Sequence, residues 1–216
     1  MVYYKTPNGI LINQYTASEA SFPTSNGGSA RIRLETEYPA SGRISAYIET
    51  DRPAPFELRL RVPRWAESAT ITINGDAAEA PAKPGEYWTC EREWNPGDHL
   101  VMELPMPVRV VRGRQMQARH AALMRGPLVF GVNTTRQTMR MEPELAMMRL
   151  DPSSISSPAR DDSVRPNGVM FQARAWSKGS SVIGPTDREL EYSEFVDPGI
   201  RRVYFMTKDM LDEVIV

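Results

Sequence analysis

The sequence has 216 residues with 26 basic and 27 acidic side chains, so its formal net charge is −1. This balance provides no bulk attraction to nucleic acid or to an anionic membrane surface, and no apolar run approaches the ~20 residues of a membrane-spanning helix. One cysteine excludes an internal disulfide, and with only two histidines a tetrahedral structural zinc site is not expected. The N-terminal residues MVYYKTP do not form a signal peptide, so we expect a soluble chain without a targeting signal of its own. The signal of an exported parent protein would lie upstream.

The first half of the chain alternates apolar and polar residues, which is typical of strands with one solvent-exposed face. The alternation runs over Arg31–Tyr38 and is most regular at Phe56–Val62, where Glu57, Arg59 and Arg61 separate the apolar residues. A shift of the second strand by one residue would turn three charges into the core, so its register is strongly specified. One shared core is predicted for Phe56, Leu58, Leu60, Ile71 and Ile73.

Turn motifs separate the strands that follow. The strand that ends at Ile73 leads into Asn74-Gly75, a dipeptide that accepts the positive φ angles of a type I′ hairpin. The strand Tyr87–Trp94 is followed by Asn95-Pro96-Gly97-Asp98, which is a typical turn sequence. Turn motifs about every 8 to 12 residues predict an all-β fold, an antiparallel β-sandwich or a jelly roll.

The pattern changes after Val132. Helical spacing of Met141, Leu145 and Met148 predicts one short helix within residues 142–150. Residues 151–168 are rich in proline, serine and charge, so they predict a long inserted loop. Strands are expected to return over residues 169–207, first at Val169–Trp176 and again at Arg202–Thr207. The prediction is therefore a single β-sandwich region over residues 1–216, with its core in residues 28–132 and at most one or two short helices.

Several motifs resemble one known family. They are Phe56-Glu-Leu-Arg-Leu-Arg-Val-Pro-Arg-Trp-Ala, Ala69-Thr-Ile-Thr-Ile-Asn-Gly-Asp, Ala122-Leu-Met-Arg-Gly-Pro-Leu-Val-Phe and Glu194-Phe-Val-Asp-Pro-Gly. Their order resembles the C-terminal β-sandwich region of bacterial glycoside hydrolase family 127 (GH127) proteins, the β-L-arabinofuranosidase family. The resemblance implies that the catalytic residues and zinc ligands belong to an (α/α) barrel upstream, which this chain would follow. No catalytic residue of the family transfers to a position in this sequence.

The residues themselves offer few candidates for chemistry. Glycoside hydrolysis needs two carboxyl groups roughly 5 to 9.5 Å apart, and Glu91 and Glu93 fit that spacing as neighbours on one strand face, about 6.6 Å apart. Any two residues at positions i and i+2 of a strand have this spacing. We therefore expect Glu91 and Glu93 to lie on a solvated strand face, as we do for Glu35 and Glu37. Cys90 is expected to be a small apolar residue rather than a nucleophile.

The two histidines have no partner at metal-ligand spacing. An exposed turn position is predicted for His99, and a structural position before a strand for His120. The sequence therefore predicts no catalytic residue, no cofactor and no metal site.

The four tryptophans, Trp65, Trp88, Trp94 and Trp176, are the remaining candidates for function. Exposed aromatic rings stack on sugar faces, so each is a candidate carbohydrate contact. Core or interdomain packing is the alternative, and it is favoured because large aromatic side chains are usually buried. Among the four, Trp176 is expected to be the most exposed because Ser177-Lys-Gly-Ser-Ser follows it.

Three functions fit these observations. The first, which the resemblance favours, is a noncatalytic accessory domain that packs on the catalytic barrel of a glycoside hydrolase and shapes access of carbohydrate. The second is an autonomous carbohydrate-binding module, and the third is a small independent jelly-roll enzyme, which would need a convergent polar pocket. The expected partner is a catalytic barrel, in the same chain or a separate one, and carbohydrate is a further candidate. An exposed interface near Ile10–Tyr15 and Tyr87–Trp94 would alternatively pair two copies of the chain.

Overall fold

The computed structural model describes residues 1–115, 118, 120–136, 145, 147–177 and 179–207. Their regular secondary structure is almost all β-strand, so the all-β prediction is confirmed. Within this part of the chain, no helix is long and apolar enough to cross a membrane. The chain divides into two compact units, Met1–Met106 and Pro107–Val216.

The first unit consists of two β-sheets. Its strands are β1 Tyr3–Thr6, β2 Gly9–Ile12, β3 Ser18–Pro23, β4 Ser29–Thr36, β5 Arg43–Thr50, β6 Ala54–Arg61, β7 Thr70–Ile73, β8 Asp76–Ala77, β9 Tyr87–Trp94 and β10 His99–Glu103. One sheet has the strand order β1-β2-β6-β9, and the other has the order β3-β4-β5-β10-β7-β8. The two sheets contribute to one hydrophobic core, which makes this unit a β-sandwich.

The core of the first unit contains the residues predicted from alternation. Phe56, Leu58 and Leu60 are at most 3% exposed, and Ile71 and Ile73 of the other sheet join the same cluster. The predicted hairpin is also present, because Asn74 and Gly75 have φ angles of 54° and 93° between β7 and β8.

Strands β2 and β6 form a parallel pair inside an otherwise antiparallel sheet. Gly9 faces Glu57 in this pair, and a Cβ atom at position 9 would lie 1.9 Å from the Glu57 carbonyl oxygen. Only glycine therefore fits at this position. The antiparallel prediction did not include this pair, because alternation gives the exposed face of a strand but not the direction of its neighbour.

The second unit contains a closed ring of strands. Its strands are β11 Val108–Arg112, β12 Ala121–Arg125, β13 Leu128–Asn133, β14 Arg149–Leu150, β15 Ala159–Arg160, β16 Val169–Trp176, β17 Arg188–Glu194, β18 Ile200–Arg202 and β19 Tyr204–Thr207. The order β12-β19-β14-β16-β17-β13 closes because β13 also pairs with β12. A row of aromatic rings in contact, Phe130, Phe171, Tyr192 and Phe205, is buried in this unit.

The structure differs from the predicted domain organisation in one respect. The predicted core over residues 28–132 crosses the boundary between the two units, since β10 ends at Glu103 and β11 begins at Val108 in a different sheet. Alternation identifies strands in both units, but it does not show which sheet each strand joins. The sequence therefore predicted one sandwich region where the chain forms two units.

The predictions for the second half are met unevenly. The predicted helix over residues 142–150 falls partly outside the described residues, and its last two residues, Arg149 and Leu150, form β14. The predicted loop over residues 151–168 contains a 3₁₀ turn at Pro152–Ser154 and the short strand β15. Strand β16 begins and ends at the predicted residues, Val169 and Trp176.

Candidate functional site

One face of the β1-β2-β6-β9 sheet carries exposed aromatic and polar side chains. In β6 the apolar residues face the core, so Glu57, Arg59 and Arg61 face the opposite side. We call this side the tyrosine face. It comprises Tyr4, Thr6, Leu11, Asn13, Glu57, Arg59, Arg61, Tyr87, Thr89 and Glu91.

The strand register arranges these residues in rows. One row contains Tyr4, Leu11, Arg59 and Thr89, which are paired across the four strands. A neighbouring row contains Thr6, Gly9, Glu57 and Glu91. Tyr87 pairs with Arg61 at the other end of the sheet.

Glu57 is the buried anion of this face. Its carboxylate accepts two hydrogen bonds from Arg59, from Nε at 2.7 Å and Nη2 at 2.8 Å, and a third from Thr6 Oγ1 at 3.2 Å. The hydrogen bond from Arg59 is the main reason why the pKa of Glu57 is lowered. Arg59 and Glu57 are therefore held as one fixed, charge-balanced pair.

Asn13 links Tyr87 of β9 to Arg61 of β6. The hydroxyl of Tyr87 donates to Asn13 Oδ1 at 3.1 Å, and Arg61 Nε donates to the Asn13 carbonyl oxygen at 2.7 Å. On the core side, Tyr15 donates to the Arg61 carbonyl oxygen at 2.5 Å. The bond to Asn13 orients the Tyr87 ring, and the other two bonds hold Arg61 beside it.

A pocket of about 340 Å³ lies at one end of the tyrosine face. Thr6 and Glu91 belong both to the face and to the pocket wall, and Gly9, between them in the strand register, also lines the pocket. The pocket is also lined by Lys5, Pro7, Asn8, Phe22, Pro23, Thr24, Ser25, Pro55 and Phe56. Its volume lies in the range of small-ligand sites, which is about 300 to 1,000 Å³.

A second cleft, of about 570 Å³, lies beside the edge strand β9 and contains Cys90. The thiol is half-buried, and burial raises its pKa. A reactive cysteine requires a lowered pKa in an electropositive setting. This environment favours the predicted role of Cys90 as a packing residue.

Three of the four candidate tryptophans are buried: Trp94 is 0% exposed, Trp88 is 3% and Trp176 is 4%. Their indole N–H groups donate to carbonyl oxygens of the chain, at Ala80 for Trp88, at Phe56 for Trp94 and at Gly184 for Trp176. The prediction that Trp176 is the most exposed tryptophan is therefore wrong. Trp65 is the half-buried member of the set and hydrogen-bonds Tyr38.

The other polar candidates lie apart from one another. Glu91 and Glu93 are exposed on one face of β9, and Glu35 and Glu37 are exposed near the end of β4. The sequence predicts an exposed His99, whereas its ring is half-buried and stacks on Tyr47 with centroids 4.3 Å apart.

His120 lies directly before β12, as predicted. Among the described residues, no group of three histidine, cysteine, aspartate or glutamate side chains could hold a metal ion.

Residues 9–106 match the family model of the β-L-arabinofuranosidase GH127 middle domain. The match covers nearly all of the first unit. No curated protein sequence matches the chain.

Solved structures show the same fold across both units. The chain is similar to a GH127 β-L-arabinofuranosidase from Geobacillus stearothermophilus T6, with a TM-score of 0.79 and 23% identity over 96% of this chain and 35% of that one. A protein described as a glycoside hydrolase gives a TM-score of 0.77 and 20% identity over 95% of this chain and 37% of that one. A GH127 β-arabinofuranosidase gives a TM-score of 0.76 and 17% identity over 96% of this chain and 36% of that one. The chain thus spans little more than a third of these proteins.

Most of the tyrosine face, from Leu11 to Glu91, lies within the residues that match the GH127 middle-domain model, whereas Tyr4 and Thr6 precede them. Sequence reasoning missed both tyrosines because it considered tryptophans alone. The alternation within Tyr87–Trp94 could have indicated Tyr87, since a buried Trp88 requires its neighbour to face outward.

Proposed function

We propose that this chain is a noncatalytic accessory region of a glycoside hydrolase, which packs on a catalytic barrel and shapes carbohydrate access to it. The observation that supports this proposal is the match of residues 9–106 to the GH127 middle domain. The similar solved structures are about three times as long as this chain, which leaves room in such proteins for a separate catalytic domain.

The positions of the carboxylates support a noncatalytic role. Glycosidases place an acid and a second carboxylate on opposite sides of the scissile bond. Glu91 and Glu93 instead project side by side from one exposed strand face. Glu57 pairs with Glu91 in the strand register, but both of its carboxylate oxygens accept hydrogen bonds from Arg59. This arrangement disfavours an independent jelly-roll enzyme built on these residues.

An exposed apolar row in the second unit supports contact with another domain. Val111 pairs with Ala122, and Ala122 pairs with Tyr204 across three neighbouring strands. The side chains of Val111 and Tyr204 are 36% and 51% exposed. Exposed apolar rows of this kind are typical of interaction surfaces. The sequence predicts an apolar interface near Ile10–Tyr15 and Tyr87–Trp94. The outward side of these strands is the tyrosine face, which carries polar and aromatic side chains rather than an apolar row.

The activity test uses the purified chain with chromogenic furanosides and pyranosides. The chain alone should release no sugar, because the proposal places the acid and the nucleophile in another domain. Turnover by the chain that disappears in Glu91→Gln or in Cys90→Ser would contradict the noncatalytic assignment.

The partner test uses a GH127 catalytic barrel expressed as a separate protein. The chain should bind it in light scattering, and Tyr204→Lys should weaken that binding because it places a charge in the apolar row. Ile183→Lys is the matched control, since Ile183 is also exposed in the second unit but lies outside the row. If the chain remains monomeric and does not bind the barrel, the packing role is refuted.

A further inference from the structure

We propose that the tyrosine face binds a neutral oligosaccharide. The rings of Tyr4 and Tyr87 would stack on sugar rings, and the polar groups between them would bind hydroxyl groups. This inference goes beyond the accessory role, because it assigns to the first unit a ligand of its own.

The two tyrosine rings are open to solvent on the same side of the sheet. Tyr4 is 44% exposed and Tyr87 is 48% exposed, and both belong to the outward-facing rows. Tyr4 lies on β1 and Tyr87 on β9, so three interstrand spacings and a shift of one row separate them, or roughly 15 Å. Aromatic rings bind the apolar faces of sugar rings, and two rings at this distance suit a short oligosaccharide better than a single sugar.

The polar groups between the rings are fixed before a ligand binds. Arg59 uses Nε and Nη2 on Glu57, and its Nη1 amino group carries two further N–H donors. Tyr87 is oriented by its hydrogen bond to Asn13, and Arg61 by its bond to the Asn13 carbonyl oxygen. Groups held in place in this way lose little conformational entropy when they bind a hydroxyl-rich ligand.

The charge of the face favours a neutral ligand. Arg59 and Arg61 are balanced by Glu57 and Glu91, so the face has no net charge to attract a polyanion. Glu57 and Glu91 also disfavour a protein partner, since glutamate is depleted from protein interfaces. A neutral sugar matches the face best, because it needs an exposed aromatic ring for its apolar face and planar polar groups for its hydroxyl groups.

The pocket at the end of the tyrosine face is a candidate site for the terminal sugar of the ligand. Its wall shares Thr6 and Glu91 with the face, and Lys5, Asn8 and Ser25 add polar groups. A cavity of about 340 Å³ has room for a single sugar unit. The terminal sugar of an oligosaccharide that lies along the tyrosine face would therefore enter this pocket.

Isothermal titration calorimetry and ¹⁵N–¹H NMR on the full chain test the proposal. The probes are neutral oligosaccharides of three to six units built from arabinose, xylose or glucose, together with acidic galacturonate oligomers. At least one neutral series should bind and shift the amide signals of β1, β2, β6 and β9. Tyr4→Ala and Tyr87→Ala should each weaken that binding about tenfold.

The control is Phe195→Ala, which removes an aromatic ring that is 60% exposed in the second unit and should leave sugar binding unchanged. Tyr87→Phe keeps the stacking ring and loses only the bond to Asn13, so it should weaken binding about two- to fivefold even if Tyr87→Ala misfolds.

Three results would overturn the proposal: no binding of any neutral probe at millimolar concentration, tighter binding of the galacturonate oligomers, or equal effects of the Phe195 and tyrosine variants. Since no catalytic domain is present in this assay, its failure is separate from a failure of the accessory role.

Discussion

Leu60 and Trp88 lie directly opposite each other in the register of β6 and β9, and both are buried, with 0% and 3% of their surface exposed. Each points into the core of the first unit, while its sequence neighbours Arg61 and Tyr87 form the facing pair on the tyrosine face. One strand pair therefore supplies both the core and the candidate site. Substitutions one residue apart should therefore separate the stability of the core from the proposed sugar binding.

Leu60→Ala should lower the free energy of unfolding by about 2 to 5 kcal/mol, because it leaves a cavity beneath Trp88. Urea unfolding followed by tryptophan fluorescence measures the change, since Trp65, Trp88 and Trp94 all lie in the first unit. Leu11→Ala, on the outward side of the neighbouring β2, should cost less than about 1 kcal/mol. A change below half a kcal/mol for Leu60→Ala would mean that Leu60 does not belong to a packed core.

Tyr192→Phe should leave the second unit as stable as before or stabilise it by about 1 kcal/mol. The ring of Tyr192 is fully buried between Phe171 and Phe205, and its hydroxyl has no hydrogen-bond partner among the described residues. Burial also raises its pKa well above the usual range, so the hydroxyl remains protonated. Removal of the Tyr192 hydroxyl therefore removes a desolvation cost without breaking a hydrogen bond.

Tyr15→Phe is the matched comparison for Tyr192→Phe, measured by thermal unfolding of both variants. The Tyr15 hydroxyl donates to the Arg61 carbonyl oxygen, so its loss should destabilise the first unit by about 1 kcal/mol. A marked loss of stability in Tyr192→Phe would show that its hydroxyl has a partner.

Local sequence patterns were sufficient to predict the strands and the exposed side of each. In β6, the placement of Phe56, Leu58 and Leu60 in the core follows from alternation alone. The parallel pairing of β2 with β6 was not predictable, because it depends on the close approach that Gly9 permits across 48 residues of sequence. The division after Met106 was missed for the same reason, since sheet membership is a long-range property.

The candidate site was less predictable than the fold. Trp176 precedes a serine-rich segment that predicts exposure, yet the Gly184 carbonyl oxygen accepts its indole N–H and the ring is buried. That acceptor lies eight residues away on a loop whose path the sequence does not reveal. The rows of the tyrosine face likewise depend on the pairing of four strands, so Tyr4 and Tyr87 could not be placed on one surface before that pairing was known.

The loop that covers Trp176 is held by one carboxylate, and its stability should depend on pH. Asp187 accepts hydrogen bonds from the Ser177 amide at 2.8 Å and from the Ser180 hydroxyl at 2.9 Å, and Ser177 Oγ also donates to it. These bonds, led by the one from the Ser177 side chain, lower the pKa of Asp187 from 3.8 to about 2. The depressed pKa means that the folded state prefers the ionised carboxylate. This contribution is fully present above the unfolded-state pKa and is lost as the pH falls through the folded-state value.

Asp187→Asn should therefore destabilise the second unit at neutral pH, by at most about 1 kcal/mol because the carboxylate is exposed and solvent screens it. The difference from the unmodified chain should shrink between about pH 4 and pH 2, where the native carboxylate becomes protonated. This stability difference is measured by chemical unfolding at a series of pH values. The signal is the fluorescence of Trp176, with Trp65, Trp88 and Trp94 replaced by Phe in both proteins. Glu189→Gln, at an exposed carboxylate two residues further along the chain, should change stability by less than about 0.5 kcal/mol throughout this range. A difference between Asp187→Asn and the unmodified chain that stays constant down to pH 2 would show that the Asp187 charge does not hold the loop.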